Sequence, residues 1–289
     1  MRPNPLREKL ARGEAVFGPM VMEFASPGLP QIMAAAGADF VVYDQEAGCL
    51  DLATVKTQLA LTRGLPIVPL VNVPWHDYHL LVQPLDCGAM GLMVPVVETA
   101  EQAAAIARIT HYPPTGIRGA AFGIAHDDYL GVDLPRAIAE ADARNLIIAK
   151  IETAKGVANI EAIMATPGID LAFVGHMDLS VSLGTPGRYD TAEFEAAMVR
   201  VIAACRANGK HGACLITSPE AAQRWLARAP ARSAAVQWLQ AKLFLRAGKV
   251  GEAAKFMARV AAYFPLDRPE DMPPVKLIEI LAPDDTGFG

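Results

Sequence analysis

The sequence predicts an α/β protein, a (β/α)8 TIM barrel with an atypical or missing eighth strand and a helical C-terminal extension. Short apolar runs recur along the chain, and most are followed by a helical pattern. Runs of about five apolar residues are typical of strands buried on both faces of a parallel sheet. Such alternation fits an open doubly wound sheet or a barrel. No GxGxxG or GxxxxGK[ST] motif follows the first run, which favours the barrel.

The elements follow in order. Strands are predicted at 20–24, 40–44, 67–73, 91–94, 146–151, 171–175 and 211–216. Helices are predicted between them, the clearest at 51–63, 99–110, 157–165 and 191–208. A barrel needs an eighth strand near 231–237, but the alanines of "PARSAAVQWL" favour a helix there.

The barrel is expected to occupy residues 1–230, and a different pattern follows at 231–289. "WLQAKLFLRAGKVGEAAKFMARVAAYFPLD" predicts two amphipathic helices joined at Gly248 and Lys249, and it resembles one tetratricopeptide unit. A lone repeat cannot bury its own apolar face. We therefore expect this hairpin and its Pro-rich tail to pack on the barrel or on a neighbouring subunit.

Composition excludes several classes of partner. The 289 residues are 52% hydrophobic and 20% charged, with a net charge of −5 spread along the chain. The lack of a basic stripe argues against nucleic acid, and the lack of 18 consecutive apolar residues argues against a membrane span. The chain has four cysteines, Cys49, Cys87, Cys205 and Cys214, and no two of them have CxxC spacing. This pattern predicts reduced thiols in a cytoplasmic protein.

Polar residues end several of the predicted strands. In a barrel the active site lies at the carboxyl ends of the strands. Glu152 and Asp178 each follow a buried run, so we predict that both bind one divalent cation. Two carboxylates with open coordination positions suit Mg²⁺ or Mn²⁺, with Co²⁺ as an alternative. At any single position a helix cap or a turn is the competing interpretation.

The helix start after the sixth strand is a candidate substrate site, made of Gly175, His176 and Met177. Backbone N–H groups at a strand-to-helix turn can bind a carboxylate. A 2-oxo acid would chelate the cation through its carboxylate and keto oxygens. The metal would then stabilise the enolate that forms when a carbon–carbon bond breaks.

Six segments carry a family resemblance: "GADFVVYDQEAG", "PLVNVPW", "LDCGAMGLMVPVVETAEQA", "HYPPTGIRGAAFG", "AKIETAKGVANIEAI" and "IDLAFVGHMDLSVSLG". In order and spacing they resemble the HpcH/HpaI family of class II aldolases, over residues 15–225. The resemblance implies a metal-dependent lyase that acts on pyruvate-type 2-oxo acids and aldehydes and assembles as trimers or hexamers. It also implies Glu152 and Asp178 as metal ligands and places Asp86 and Arg118 near the site.

Two departures from the family pattern bear on catalysis. The family usually carries D-x-E-H after the second strand, whereas residues 44–47 here read DQEA, so Asp44 remains and Ala47 replaces the histidine. The family arginine after the third strand is Asn72. Lys150, where the family tends to have glutamine, is a candidate to supply the missing positive charge, or to form a Schiff base.

These departures leave three hypotheses. The first is an active lyase with altered catalytic residues, Asp44, Asp86 and Lys150, and with Asn72 and Arg118 contacting substrate. The second is a degenerate barrel that binds metal and a 2-oxo acid with little turnover, because losing one electrostatic donor typically costs about 100- to 1000-fold in rate. The third is an interaction protein that uses its helical tail.

Overall fold

A computed structural model describes residues 1–48, 50–130, 133–216, 241, 244 and 247–263, with the side chains of 257–263 excepted. The chain divides into two compact units, Met1–Val236 and Gln237–Gly289. The predicted boundary at residue 230 stays a prediction.

The first unit is built on a seven-stranded parallel sheet in which each strand pairs with the next one along the chain. The strands are β1 (Met20–Val21), β2 (Phe40–Asp44), β3 (Val68–Asn72), β4 (Gly91–Val94), β5 (Leu146–Ile151), β6 (Leu171–Val174) and β7 (His211–Cys214). The predicted α/β class and parallel sheet are therefore confirmed. The predicted eighth strand at 231–237 falls outside the described residues.

Helices connect the strands. They are α1 (Pro5–Ala11), α2 (Leu29–Ala35), α3 (Leu52–Leu61), α4 (Tyr78–Asp86), α5 (Ala100–Thr110), α6 (Leu134–Arg144), α7 (Ala154–Ala158), α8 (Ile160–Ala165), α9 (His176–Ser182) and α10 (Ala192–Ala207), with a 3-10 turn at Ala125–Asp127. Several begin at a side-chain cap that the sequence provides. Asp51 accepts from the Thr54 N–H at 2.7 Å, and Thr99 forms a capping box with Gln102. None of the helices in the described segments is long and apolar enough to cross a membrane.

Two elements differ from the prediction. β1 pairs with β2 over only two residues, because the chain leaves the sheet at Met22. The predicted helix at 157–165 is two helices that meet at Asn159, whose side-chain amide donates to the Glu98 carbonyl at 2.8 Å. That bond draws the junction toward the loop after β4.

Alternate residues of each strand face two different apolar cores, as the period of a strand requires. The larger core lies between the sheet and the helices that cover it, and Val41, Tyr43 and Val71 belong to it. The smaller core lies on the other face of the sheet, where Val42 and Leu70 pack together. Both faces of the sheet are therefore buried, which explains the near-continuous apolar runs of the sequence.

The smaller core is bounded by apolar side chains at the amino ends of the strands and by polar side chains at their carboxyl ends. On the amino-terminal side it packs against Leu6 and Leu10 of α1, which are 4% and 8% exposed. Toward the carboxyl ends the same face continues into polar side chains. Asp44 follows Val42 by two residues, so both point to this face, and the same spacing holds for the polar residues at the ends of β3 and β5.

The second unit contains one long described helix, α11 (Val250–Tyr263). A turn at residues 247 and 248 precedes it, and Gly248 adopts a left-handed φ of +69° that suits glycine. The Lys249 N–H donates to the Phe244 carbonyl at 2.8 Å across this turn. The turn lies where the predicted helical hairpin has its joint; of the first predicted helix, only Ala241 and Phe244 are described.

Candidate active site

Asp44 and Asn72 form the first part of the site, at the carboxyl ends of two neighbouring strands. The parallel register of β2 and β3 pairs these two residues directly. Their side chains are 1% and 2% exposed, and Asn72 Nδ2 donates to Asp44 Oδ1 at 2.6 Å. Asp44 also accepts from the backbone N–H groups of Glu46 and Gly48, each at 3.0 Å. Three donors therefore fix the orientation of this carboxylate.

Glu46 links that pair to β5. Its side chain returns from the loop after β2, and Oε2 accepts from Asn72 Nδ2 at 2.8 Å. The same oxygen accepts from Lys150 Nζ at 2.5 Å. A carboxylate that receives an amide and an ammonium on one oxygen brings the ends of β2, β3 and β5 together.

Glu152 completes the cluster, two residues after Lys150, and is 3% exposed. Its Oε1 accepts from the Val96 N–H at 2.7 Å, and Val96 adopts a left-handed φ of +50° to present that group. Lys150 Nζ lies 3.0 Å from Glu152 Oε2, close enough for an ion pair. Apart from this ion pair, no described residue provides a hydrogen-bond donor to Oε2, which is buried.

Burial and charge act in opposite directions on these two groups. Burial raises the pKa of Glu152, and the nearby Lys150 ammonium counteracts only part of that rise. Burial by itself would lower the pKa of Lys150, but the hydrogen bond to Glu46 and the charge of Glu152 raise it above its ordinary value. Lys150 is therefore a charged ammonium at neutral pH, which is the wrong form for a Schiff-base nucleophile.

The start of α9 adjoins the Glu152 carboxylate through Gly175. A Cβ at this position would lie 2.5 Å from Glu152 Oε2, so only glycine leaves room for the carboxylate as it stands. Asp178 is on the first turn of α9 and is exposed. Met177 is 62% exposed, whereas the His176 ring packs on Tyr189 with ring centres 4.9 Å apart. Burial lowers the pKa of His176, against the effect of the Asp178 charge.

The residues present suit a cation in one respect. Among the described residues, the Lys150 ammonium is the partner of the buried Glu152 Oε2, and Asp178 stands on the adjoining turn with an exposed carboxylate. Within the described segments, no three His, Cys, Asp or Glu side chains converge into a metal-binding group. A divalent ion here would rely on Glu152 and Asp178 together with oxygens from substrate and water, which is a common arrangement for Mg²⁺.

Asp86 and Arg118 are not part of this cluster. They pair with each other, with Arg118 Nη2 at 2.7 Å from Asp86 Oδ1, and the Arg118 guanidinium lies 4.7 Å from the centre of the Tyr112 ring. Asp86 ends α4, which runs back from the carboxyl end of β3 toward the amino end of β4. The pair therefore lies toward the amino ends of the strands, away from Asp44 and Glu152.

Two participants were not assigned a role from the sequence, Glu46 and Val96. Glu46 has a signal in the DQEA stretch, since an acid two residues past a strand end has the reach to turn back onto the site. Val96 acts through its backbone, and its residue type gives no sign of that. The half-buried His76, whose Nε2 lies 2.9 Å from the Pro95 carbonyl, is on the loop after β3.

Comparison with known proteins gives consistent results. The sequence profile of the HpcH/HpaI aldolase/citrate lyase family matches residues 20–237. A hydroxypyruvate/pyruvate aldolase of Roseovarius nubinhibens is 36% identical over 210 residues, covering 71% of this chain and 81% of that protein. A 5-keto-4-deoxy-D-glucarate aldolase of Klebsiella pneumoniae is 34% identical over 224 residues, covering 78% and 86%. The crystal structure of an HpcH/HpaI aldolase/citrate lyase family protein from Burkholderia cenocepacia superposes with a TM-score of 0.72 at 32% identity, covering 78% of this chain and 90% of that one.

Proposed function

Because the chain belongs to the HpcH/HpaI aldolase/citrate lyase family, we propose that it is a divalent-metal-dependent carbon–carbon lyase acting on a 2-oxo acid. The observation that carries this proposal is the joining of Asp44, Asn72, Lys150 and Glu152 at the carboxyl ends of β2, β3 and β5. Relatives are named for aldolase reactions of hydroxypyruvate or pyruvate and of 5-keto-4-deoxy-D-glucarate. These names support a substrate with a 2-oxo acid group.

The reaction we propose is cleavage of a 4-hydroxy-2-oxo acid. The 4-hydroxyl loses its proton, the C3–C4 bond breaks, and C4 leaves as an aldehyde while the electron pair stays on C3 as a pyruvate enolate. Protonation of C3 then gives pyruvate. Negative charge develops on the 2-keto oxygen, so catalysis needs a positive group there.

Glu152 and Asp178 are the residues we propose for holding the metal. A divalent ion at this position supplies Lewis-acid stabilisation of the charge on the keto oxygen. Mg²⁺, Mn²⁺ and Co²⁺ all remain candidates. The N–H groups at Gly175 and Met177, with His176 beside them, are proposed to bind the substrate carboxylate at the start of α9.

Lys150 and Asp44 are proposed as the catalytic groups of the chain itself. Lys150 brings a full positive charge to the cluster, whereas Asn72 contributes a neutral amide that Asp44 and Glu46 already occupy. A carboxylate has about four lone-pair sites, and three donors occupy Asp44. One site remains through which Asp44 exchanges a proton with the substrate. The roles of Asp86 as a catalytic group and of Arg118 as a substrate contact stay predictions of the resemblance, because the two pair with each other outside this cluster.

The test is activity with defined metals on the full chain. After chelation, protein is assayed with Mg²⁺, Mn²⁺ or Co²⁺ for pyruvate release from 4-hydroxy-2-oxo acids and for exchange of the pyruvate methyl protons in D₂O. Glu152→Gln should lower both rates by at least about 100-fold. Glu161→Gln is the matched control, because Glu161 is an exposed carboxylate on α8 that pairs with Arg200. Wild-type rates no higher than those of Glu152→Gln with every metal would overturn the proposal.

Two observations favour the second candidate, a barrel that binds a 2-oxo acid but turns it over slowly. Ala47 is exposed and offers no side-chain group for proton transfer, and the Asn72 amide is committed to two carboxylates. Restoring the family residues with Ala47→His and Asn72→Arg should raise the cleavage rate if their loss limits turnover. Unchanged rates in the double variant would exclude that explanation.

We also propose that the protein forms a homo-oligomer, a trimer or a hexamer. Phe24 is 83% exposed and Ile32 on α2 is 65% exposed, and a contact with another copy would bury these large apolar side chains. Light scattering on the purified protein measures the mass directly. A cytoplasmic location stays a prediction, supported by the free thiols of Cys87, Cys205 and Cys214.

A further inference from the structure

We propose that the Lys150 ammonium is a built-in cation that competes with the divalent metal for Glu152, and that Glu46 holds Lys150 when the metal is bound. The inference rests on the proposed metal site at Glu152 and adds a determinant of metal affinity specific to this chain. Lys150 lies where the start of α9, the end of β5 and the loop after β2 meet.

Glu152 presents one oxygen to the cluster. Its Oε1 is held by the Val96 N–H at 2.7 Å, so Oε2 is the atom that faces the cluster. Lys150 Nζ is already 3.0 Å from this oxygen, and the lysine side chain is only 11% exposed. The buried ammonium thus occupies the neighbourhood that a metal ligated by Oε2 would enter.

The two cations would repel each other at that oxygen. A Mg²⁺ ion binds carboxylate oxygen at about 2.0–2.1 Å, which would bring it close to an ammonium 3.0 Å from the same atom. Like charges so close in a buried site repel strongly, because the surrounding protein screens them poorly. Metal binding is therefore weaker while Lys150 stays at Glu152, and it is favoured when Lys150 withdraws.

Glu46 provides the position to which Lys150 withdraws. The ammonium is 2.5 Å from Glu46 Oε2, a shorter contact than its 3.0 Å approach to Glu152. The flexible four-carbon stem of lysine lets the ammonium shift between the two acids. Two carboxylates, those of Glu46 and Glu152, contact this one ammonium, so negative charge remains to attract a second cation.

The experiment measures Mn²⁺ affinity, by calorimetry and by the electron paramagnetic resonance of free Mn²⁺, on the full chain. Lys150→Gln removes the competing charge and should tighten the Mn²⁺ dissociation constant at least tenfold, which corresponds to about 1.4 kcal/mol. Lys150→Arg keeps the charge and is the matched control, with an affinity within a few-fold of wild type. Thermal melts of each variant report whether the fold is intact.

A double-mutant cycle tests the role of Glu46. Glu46→Gln should weaken Mn²⁺ binding in the wild-type background, because Lys150 then rests on Glu152 alone. In the Lys150→Gln background the same substitution should have little effect. An equal loss of Mn²⁺ affinity in both backgrounds would show that Glu46 is a direct metal ligand. It would overturn the proposal that Glu46 holds Lys150 when the metal is bound.

The proposal is overturned if Lys150→Gln binds Mn²⁺ no more tightly than wild type, if Lys150→Arg tightens binding as much as Lys150→Gln, or if no variant binds Mn²⁺. Its failure is distinct from failure of the lyase function. A protein that cleaves 2-oxo acids while Lys150→Gln leaves Mn²⁺ affinity unchanged would refute the competition alone. A protein with no lyase activity whose affinity rises in Lys150→Gln would refute the function alone.

Discussion

Replacing Gly175 with alanine is the sharpest steric test of the cluster. The new Cβ would lie 2.5 Å from Glu152 Oε2, 2.8 Å from Glu152 Cβ and 3.3 Å from Lys150 Cε. The φ of Gly175 is −75°, so alanine adopts the backbone conformation without strain and the clash is the whole effect. Glu152 cannot retreat easily, because the Val96 N–H holds its other oxygen. Overpacking at such a buried site typically costs about 1–3 kcal/mol.

The assay is thermal unfolding, with Gly28→Ala as the control. Gly28 also has a negative φ, of −82°, but a Cβ added there meets no atom within 4 Å. For a unit of this size each kcal/mol corresponds to roughly 2–4 °C in Tm. We expect Gly175→Ala to melt several degrees below both wild type and Gly28→Ala. Equal melting temperatures for the two variants would show that Glu152 is not packed against the start of α9.

Three other predictions concern separate parts of the first unit. Burial raises the pKa of the Cys214 thiol from 9.0 to about 11. At pH 8 the native protein should therefore be alkylated at Cys214 roughly 100-fold more slowly than the unfolded protein. Peptide mass spectrometry measures both rates, and equal rates would refute the prediction. Arg118→Ala should lower the unfolding free energy by about 2–3 kcal/mol. This loss is smaller than the loss expected for a fully buried ion pair, because Asp86 is 25% exposed. An unchanged midpoint of urea unfolding would contradict the prediction. Asp44→Ala leaves the Gly48 N–H without its acceptor and should lower the unfolding free energy by about 1–3 kcal/mol in the same assay; an unchanged midpoint would show that other contacts hold the loop after β2.

The part of the site that the sequence predicts is the part that strand geometry determines. Asp44 and Asn72 end strands that are consecutive in the chain, and a parallel sheet brings the ends of consecutive strands together. Lys150 and Glu152 are two residues apart on β5, so they share a face. For these residues the apolar runs fix both the element and the direction of the side chain.

Contacts made by loops and by the backbone could not be predicted from the sequence. Glu46 lies past the end of β2, where its position in DQEA gives it the reach to contact the site but no periodicity says which way its side chain turns; the structure shows it returning to Lys150. The Asp86–Arg118 pair shows a different limit. The resemblance places both residues near the site at the carboxyl ends of the strands, whereas the path of α4 places Asp86 toward the amino ends.

The conformation of Val96 implies a conflict between the stability of the fold and the precise placement of the Glu152 carboxylate. A β-branched residue with a φ of +50° costs of order 1–3 kcal/mol, and its N–H is what anchors one oxygen of Glu152. Substitution with glycine would release that strain and also let the peptide rotate away from the carboxylate. Selection for heat resistance alone should therefore favour substitutions at residue 96 early. The most heat-stable variants should include those in which the Glu152 carboxylate is held least precisely.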